Sequence, residues 1–245
     1  MSNEIERAKK VLAAARSVLV LTGAGISAES GVPTFRGGGT STMWRGMPFE
    51  ELSSAKMVQK DLPLVWEWFD HRRGVLAGCR PNAAHEAIAK AQADESFDSF
   101  TLVTQNIDGL HSAAGSADLI ELHGNIYQAR CLSCGSLQVL ADIPQEERPP
   151  VCPECFDSMR PNVVLFGEAL DEDVLHQAYE KAGACDVCIV VGTSAVVYPA
   201  NIIPTIARRE GATIIEVNPE ETEITASVDI AIRGTAAQVL PRLLA

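Results

Sequence analysis

The stretch Ser17-Val18-Leu19-Val20-Leu21-Thr22-Gly23-Ala24-Gly25-Ile26-Ser27-Ala28-Glu29-Ser30-Gly31 sets how the rest of the chain is read. Its first six residues centre on a short continuous apolar run, 18–21, with β-branched members, which predicts a buried parallel strand. The strand then runs into glycine. A Gly pair after a strand lets the backbone turn tightly and approach a pyrophosphate, while amides at the next helix start face its charge. The third glycine is displaced to Gly31, so the spacing departs from Gly-x-Gly-x-x-Gly. A plain glycine-rich strand-to-helix turn reads the same way, and both readings stay open here.

Working outward, residues 4–16 place Ile5, Ala8, Val11, Leu12 and Ala15 at helical spacing. Further strands are expected at 100–104, 119–122, 162–166, 187–191, 213–217 and 230–232. Helices are expected at 63–77, 82–91, 171–182, 201–210 and 236–244. The Gly-, Ser- and Thr-rich stretch 33–46 reads as a mobile loop. Strands alternating with helices predict an α/β fold with a doubly wound parallel sheet. In that architecture ligands sit beyond the carboxyl ends of the strands, where this chain places polar or Gly-rich turns. The Cys- and Pro-rich segment 131–155 has weak periodicity and reads as an insertion between sheet strands.

The chain has 245 residues, enough for one large domain with a small insertion. Its net charge is −12. That balance disfavours direct nucleic-acid binding, which needs phosphate neutralisation, and suits small ligands or a basic partner such as a lysine-bearing peptide. The most apolar region, 185–204, is interrupted by Asp186, Gly192 and Asn201, so no membrane span is expected. The first residues carry acids and no apolar signal core, which predicts a cytoplasmic location. Seven cysteines include close pairs, and in a cytosolic chain such pairs favour metal or redox chemistry over disulfides.

Cys131-x-x-Cys134 and Cys152-x-x-Cys155 suit one tetrahedral zinc, two thiolates from each knuckle. Four protein ligands leave no open position, so the ion is expected to be structural. Cys185, Cys188 and Cys79 read as buried thiols. The polar turn Gln105-Asn106-Ile107-Asp108 follows a strand and can order a polar ligand and move a proton with a nearby imidazole. The residues alone do not choose among His71, His85, His111, His123 and His176. The position of His123 at a strand end, beside Gly124 and Asn125, favours it. Gly192-Thr193-Ser194 and Asn218-Pro219-Glu220 also follow strands and read as the far side of a nucleotide site, or as ordinary turns.

Together these stretches resemble the sirtuin family, over nearly the whole chain from Val18 to Leu240. The matching segments are 23–37, 104–111, 123–125, the four cysteines, 166–168, 192–194 and 217–219. The likeness leans toward the bacterial branch related to the mitochondrial desuccinylase. It implies a Rossmann-like NAD-binding domain made of residues 1–34, 78–126 and 163–245. It also implies a cofactor loop and helical segment, 35–77, and a zinc-binding module, 127–162. The implied activity is NAD-dependent protein-lysine deacylation, releasing nicotinamide and O-acyl-ADP-ribose, with zinc purely structural.

Carried over by position, Gly23, Ala24, Gly25 and Glu29 belong to the phosphate side. Phe35 and Arg36 lie in the loop over the nicotinamide ribose, and Gln105 holds ribose hydroxyls. Asn106, Ile107 and Asp108 form the nicotinamide pocket. Gly192, Thr193, Ser194, Asn218, Pro219, Glu220 and Ala236 border the adenosine half. The acyl-lysine peptide is implied to pair as a strand with Phe166, Gly167, Glu168, Val197 and Tyr198. His123 is the implied base, drawing a proton from a ribose hydroxyl, with Asn106 as its catalytic companion.

One departure bears on the acyl group. Family members that prefer succinyl or malonyl groups carry Tyr-x-x-Arg, and here the segment is Phe69-Asp70-His71-Arg72. Losing the phenol weakens acidic-acyl recognition by about 1.5–3 kcal/mol, while the Arg72–carboxylate pair can remain. The expectation is a deacetylase with weaker desuccinylase activity, unless Arg72 is merely a solvated helix residue. Protein mono-ADP-ribosyl transfer at the same NAD site is the alternative activity. A zinc-ribbon binder without turnover is the alternative of another class.

Overall fold

The computed structural model describes residues 2–33, 43–94, 96–142 and 148–245. The strands, in chain order, are β1 (Ser17–Thr22), β2 (Met43–Trp44), β3 (Met47–Pro48), β4 (Ser99–Thr104), β5 (Leu119–Glu121) and β6 (Gly124–Cys131). They continue with β7 (Leu137–Val139), β8 (Met159–Val163), β9 (Val187–Val191), β10 (Thr213–Asn218) and β11 (Ile230–Arg233). The helices are α1 (Ser2–Ala14), α2 (Phe49–Leu52), α3 (Ala55–Lys60), α4 (Leu62–Leu76) and α5 (Ala83–Gln92). After them come α6 (Leu110–Ala113), α7 (Glu172–Ala184), α8 (Ile203–Arg209) and α9 (Ala236–Leu243).

Six strands form one sheet in the order β11-β10-β9-β1-β4-β5, parallel throughout. The chain builds outward from β1 in one direction and then returns to build from β9 in the other. The reversal between β1 and β9 is a topological switch point, where such sheets open a crevice. Both faces are covered, which explains the unbroken apolar reading of β1. Val18 and Val20 pack with α1, α5 and α9 on one face. Leu19 and Leu21 pack with α7 and α8 on the other.

Register sets the site. Thr22 pairs with Thr104 on one side and Val191 on the other, Thr104 with Glu121, and Val191 with Val217. The carboxyl ends of five strands therefore reach one rim together. Every polar turn singled out in the sequence starts there.

The smaller part is an antiparallel sheet, β7-β6-β8, with α2, α3 and α4. The strand expected at 162–166 is instead Met159–Val163, antiparallel to β6 and outside the large sheet. Its apolar tail, Leu165, packs in the cluster of Val65, Trp68 and Phe69, which is why the sequence pattern runs past the pairing. The stretch read as a loop to residue 46 carries, in its described part, the hairpin of β2 and β3. Helices α2 and α3, at four and six residues, are too short to show a period and were not expected. Cys185 and Cys188 are buried in the sheet core, as expected, whereas Cys79 is only half-buried.

Candidate functional site

At the switch point the turn after β1 meets the turn after β9 backbone to backbone. The Gly25 amide donates to the Gly192 carbonyl at 2.7 Å. A Cβ on Gly25 would fall 2.6 Å from that oxygen. Gly192 has φ of +57°, and its Cβ would fall 2.4 Å from the Ile26 nitrogen. Only glycine fits such an approach. Gly23 abuts Thr193 in the same seam. Ala24 opens a short 3₁₀ helix, Ala24–Ser30.

The turn after β4 lies alongside. Asn106 is buried, and its side-chain amide donates to the Gly23 carbonyl and to Ser27 Oγ, each at 3.2 Å. Ser27 Oγ donates to Asp108 Oδ2 at 2.7 Å, and Asp108 Oδ1 accepts from the Leu110 amide. His85 Nδ1 accepts from the Asn82 amide, so its proton sits on Nε2, facing Ser27 Oγ at 3.4 Å. Burial holds His85 down to about 4 despite nearby Asp108. Ser27 and His85 thus join the turn, although the residues alone assigned Ser27 no role and offered His85 only as one of five histidines. The cue was the Asn82-x-x-His85 spacing, which forms a capping box on α5.

The Gln105 side-chain amide donates to Thr193 Oγ1 at 3.0 Å, and its backbone carbonyl lies 2.8 Å from His123 Nδ1. A carbonyl only accepts, so Nδ1 carries the hydrogen and Nε2 keeps its lone pair. Burial lowers the pKa of His123, against the pull of the Gln105 bond. The ring is therefore neutral near pH 7, with a basic nitrogen to offer. Gly124, at φ +76°, follows it with a Cβ position only 2.1 Å from the Asn162 carbonyl. Asn125 spans the turn by donating to Glu121 Oε1 at 2.8 Å.

On the far side, Thr193 is buried, and its carbonyl accepts from the Asn218 side-chain amide at 3.0 Å. The Glu220 amide faces Asn218 Oδ1 at 3.4 Å across Pro219. Ser194 stands beside Thr193 on this rim. Three candidates have partners within the chain. Both carboxylate oxygens of Glu29 are engaged at the start of α9, one by Thr235 Oγ1 and one by the Ala237 amide. Ala236 is packed in the core under that helix start. Ile107 packs against the α4 cluster. Phe35 and Arg36 lie outside the described residues.

Among the peptide candidates, Phe166 is half-exposed, but its backbone is already used. Its amide donates to the Ser53 carbonyl and its carbonyl accepts from the Ala55 amide. The Glu168 carboxylate pairs with Arg160 and accepts from the Leu165 amide, which keeps its pKa low against the burial that raises it. Gly167, between them, adopts a left-handed turn at φ +88°. Val197 and Tyr198, like Phe166, are exposed to solvent. Phe69 is 3% exposed inside the α4 cluster, so it offers a wall rather than a contact group. Arg72 is half-buried over the Trp68 ring, and burial lowers its pKa while Asp108 raises it. A solvated helix residue would do neither.

The Sγ atoms of Cys131, Cys134, Cys152 and Cys155 lie within 4.8 Å of one another. Cys131 is 3.4 Å from Cys155, and Cys134 is 3.7 Å from Cys152. Amides of Ser133 and Cys134 point at Cys131 Sγ and, the Cys134 bond first, draw its thiol down to about 6. No helix among the described residues is long and apolar enough to cross a membrane.

A family profile described as the Sir2 family matches residues 23–199. The chain is 48% identical over 234 residues to "NAD-dependent protein deacylase 2" of Pyrobaculum aerophilum, covering 96% of this chain and 92% of that one. It is 46% identical to the "NAD-dependent protein deacylase" of Aquifex aeolicus, covering 93% of each. Among solved structures, a Sir2 homolog in complex with NAD superposes with a TM-score of 0.88 at 40% identity, covering 98% of this chain and 92% of the other. A Sir2–p53 peptide–NAD+ structure gives 0.83 at 30%, covering 98% and 97%.

Proposed function

The chain belongs to the Sir2 family, and from that premise we propose that it is an NAD-dependent protein-lysine deacylase with a structural zinc. The observation that carries the reading is the His123 imidazole. Its Nδ1 is committed to Gln105, its Nε2 is left basic, and it stands at the rim where the β1, β4 and β9 turns converge.

The amides of Gly23, Gly25 and Gly192 are spent on the Val191, Gly192 and Val217 carbonyls, so their seam would serve a pyrophosphate by holding the β1 and β9 turns together without side chains in the way. Bound NAD would supply an electrophilic ribose carbon when its nicotinamide bond gives way. Asn106 and Asp108, fixed by Ser27, would line the nicotinamide end. Gln105 would face ribose hydroxyls, and Thr193, Ser194, Asn218, Pro219 and Glu220 would border the adenosine end. Glu29 and Ala236 would act indirectly, by setting α9. His123 Nε2 would take a ribose hydroxyl proton and hold it while the acyl group moves. Gly167, Val197 and Tyr198 would seat the acyl-lysine peptide as an added strand.

The four thiolates fit tetrahedral zinc and leave no position for water, so the ion would hold the small sheet and take no part in the reaction. Arg72, partly desolvated and within the field of Asp108, would pull an acidic acyl tail inward, though less firmly without a phenol at Phe69. Acetyl-lysine is then the better substrate, with succinyl-lysine second.

The test is nicotinamide release from NAD with acetyl-, succinyl- and longer-acyl-lysine peptides, on the parent and on His123→Ala. The variant should lose about 100-fold or more in turnover with zinc content unchanged. Absence of acyl loss with the parent, or mass spectra showing ADP-ribose added to the peptide instead, would overturn the reading. A strong succinyl preference would overturn the acyl order alone.

A further inference from the structure

Beneath the Asn106 turn lies a buried relay in which none of the three side chains faces the proposed reaction. His111 Nε2 is 3.0 Å from Thr22 Oγ1, Thr22 Oγ1 donates to Thr104 Oγ1 at 2.8 Å, and Thr104 Oγ1 accepts from the Asn106 amide at 3.1 Å. All three side chains are at most 2% exposed. His111 Nδ1 is buried with no partner among the described residues. The His85 ring lies against it, centroids 4.7 Å apart, and gives it no acceptor, since the His85 Nδ1 lone pair is taken by the Asn82 amide.

An orphaned buried N–H is costlier and rarer than an unused lone pair. The hydrogen of His111 therefore belongs on Nε2, where Thr22 Oγ1 can accept it. With Thr22 receiving from His111, its own hydroxyl must point at Thr104. Thr104 then presents a lone pair to the Asn106 amide. The tautomer orients two hydrogen bonds, His111 to Thr22 and Thr22 to Thr104, and through them fixes the Thr104 oxygen on which the Asn106 amide rests. Burial keeps the ring uncharged, holding His111 down to about 3, with His85 adding to the effect.

We propose that His111, locked as the Nε2–H tautomer, is a positioning residue that sets the backbone of Asn106 through Thr22 and Thr104. The role in turnover rests on the deacylase reading; the tautomer does not.

Long-range proton–nitrogen correlations on the 15N-labelled full chain at neutral pH read the tautomer directly. The parent should show the His111 proton on Nε2. In Thr22→Val, which keeps the strand packing and removes the acceptor, that signal should shift or be lost. A proton on Nδ1, or an imidazolium, would overturn the proposal whatever the activity.

Steady-state kinetics read the consequence. Thr22→Val and His111→Leu should each lower kcat about tenfold, the cost of one buried hydrogen bond, with peptide KM within about twofold. The double variant should fall no further than the worse single one, because all act through one relay. His111→Gln, whose amide can donate to Thr22, should recover most of kcat. Additive losses, or full kcat in His111→Leu, would overturn the proposal. A parent without nicotinamide release would instead strike the deacylase reading.

Discussion

Chemistry at the rim depends on which nitrogen of each imidazole holds hydrogen, and neighbours decide this for three histidines. The Gln105 carbonyl fixes His123 with Nε2 basic. The Asn82 amide fixes His85 with Nε2 as donor. Thr22 and the lack of a partner at Nδ1 fix His111. A pH prediction follows for His123. Burial lowers its pKa below the ordinary value of about 6.5, although the Gln105 bond resists. A base works unprotonated, so kcat/KM should fall on acidification, with a midpoint below about 6.5, and be flat toward neutral pH. A pH–rate profile checks this. An acid limb centred above neutrality would show that the ring is charged in the resting protein.

Between elements, the decisive contact is the meeting of the β1 and β9 turns. A methyl at Gly192 would need a left-handed backbone and would lie 2.4 Å from the Ile26 nitrogen. Gly192→Ala should therefore cost about 2 kcal/mol or more in denaturant unfolding, and nicotinamide release should fall with it. Gly74, inside α4, offers a contrast because nothing lies within 4 Å of its Cβ position. Gly74→Ala should stabilise by up to about 1 kcal/mol through helix propensity. Equal effects at the two glycines would mean that the seam is not as tight as its distances state.

Across the molecule, the cysteine module is tied to the site by more than chain connectivity. Strand β6 begins at Gly124, directly after His123, and ends at Cys131. Trp66 Nε1 donates to the Met159 carbonyl and Arg73 to the Ile126 carbonyl, both at 2.8 Å. Asp70 pairs with Arg73 and Arg148, and those bonds lower its pKa against burial. Slack in the small sheet must therefore reach α4, Arg72 and the His123 turn. Stripping zinc with a chelator should lower the melting temperature and deacylation together, and zinc should restore both. Melting and activity unchanged after proven metal loss would show that the thiol cluster stands without an ion.

Much of this was legible in the residues alone. Apolar runs buried on both faces announce parallel strands, paired Cys-x-x-Cys knuckles announce a cluster of four thiols, and polar turns after strands announce the rim. Such signals are local, so periodicity and spacing carry them. Sequence could not tell that Glu29 braces α9, that the backbone of Phe166 is spent on Ser53 and Ala55, or that 159–163 pairs with β6 rather than the large sheet. Nor could it find Ser27, His85 and the His111–Thr22–Thr104 relay. Those facts join residues 28 to 208 positions apart, and pairing at that separation is settled only when strand order and register bring the side chains together.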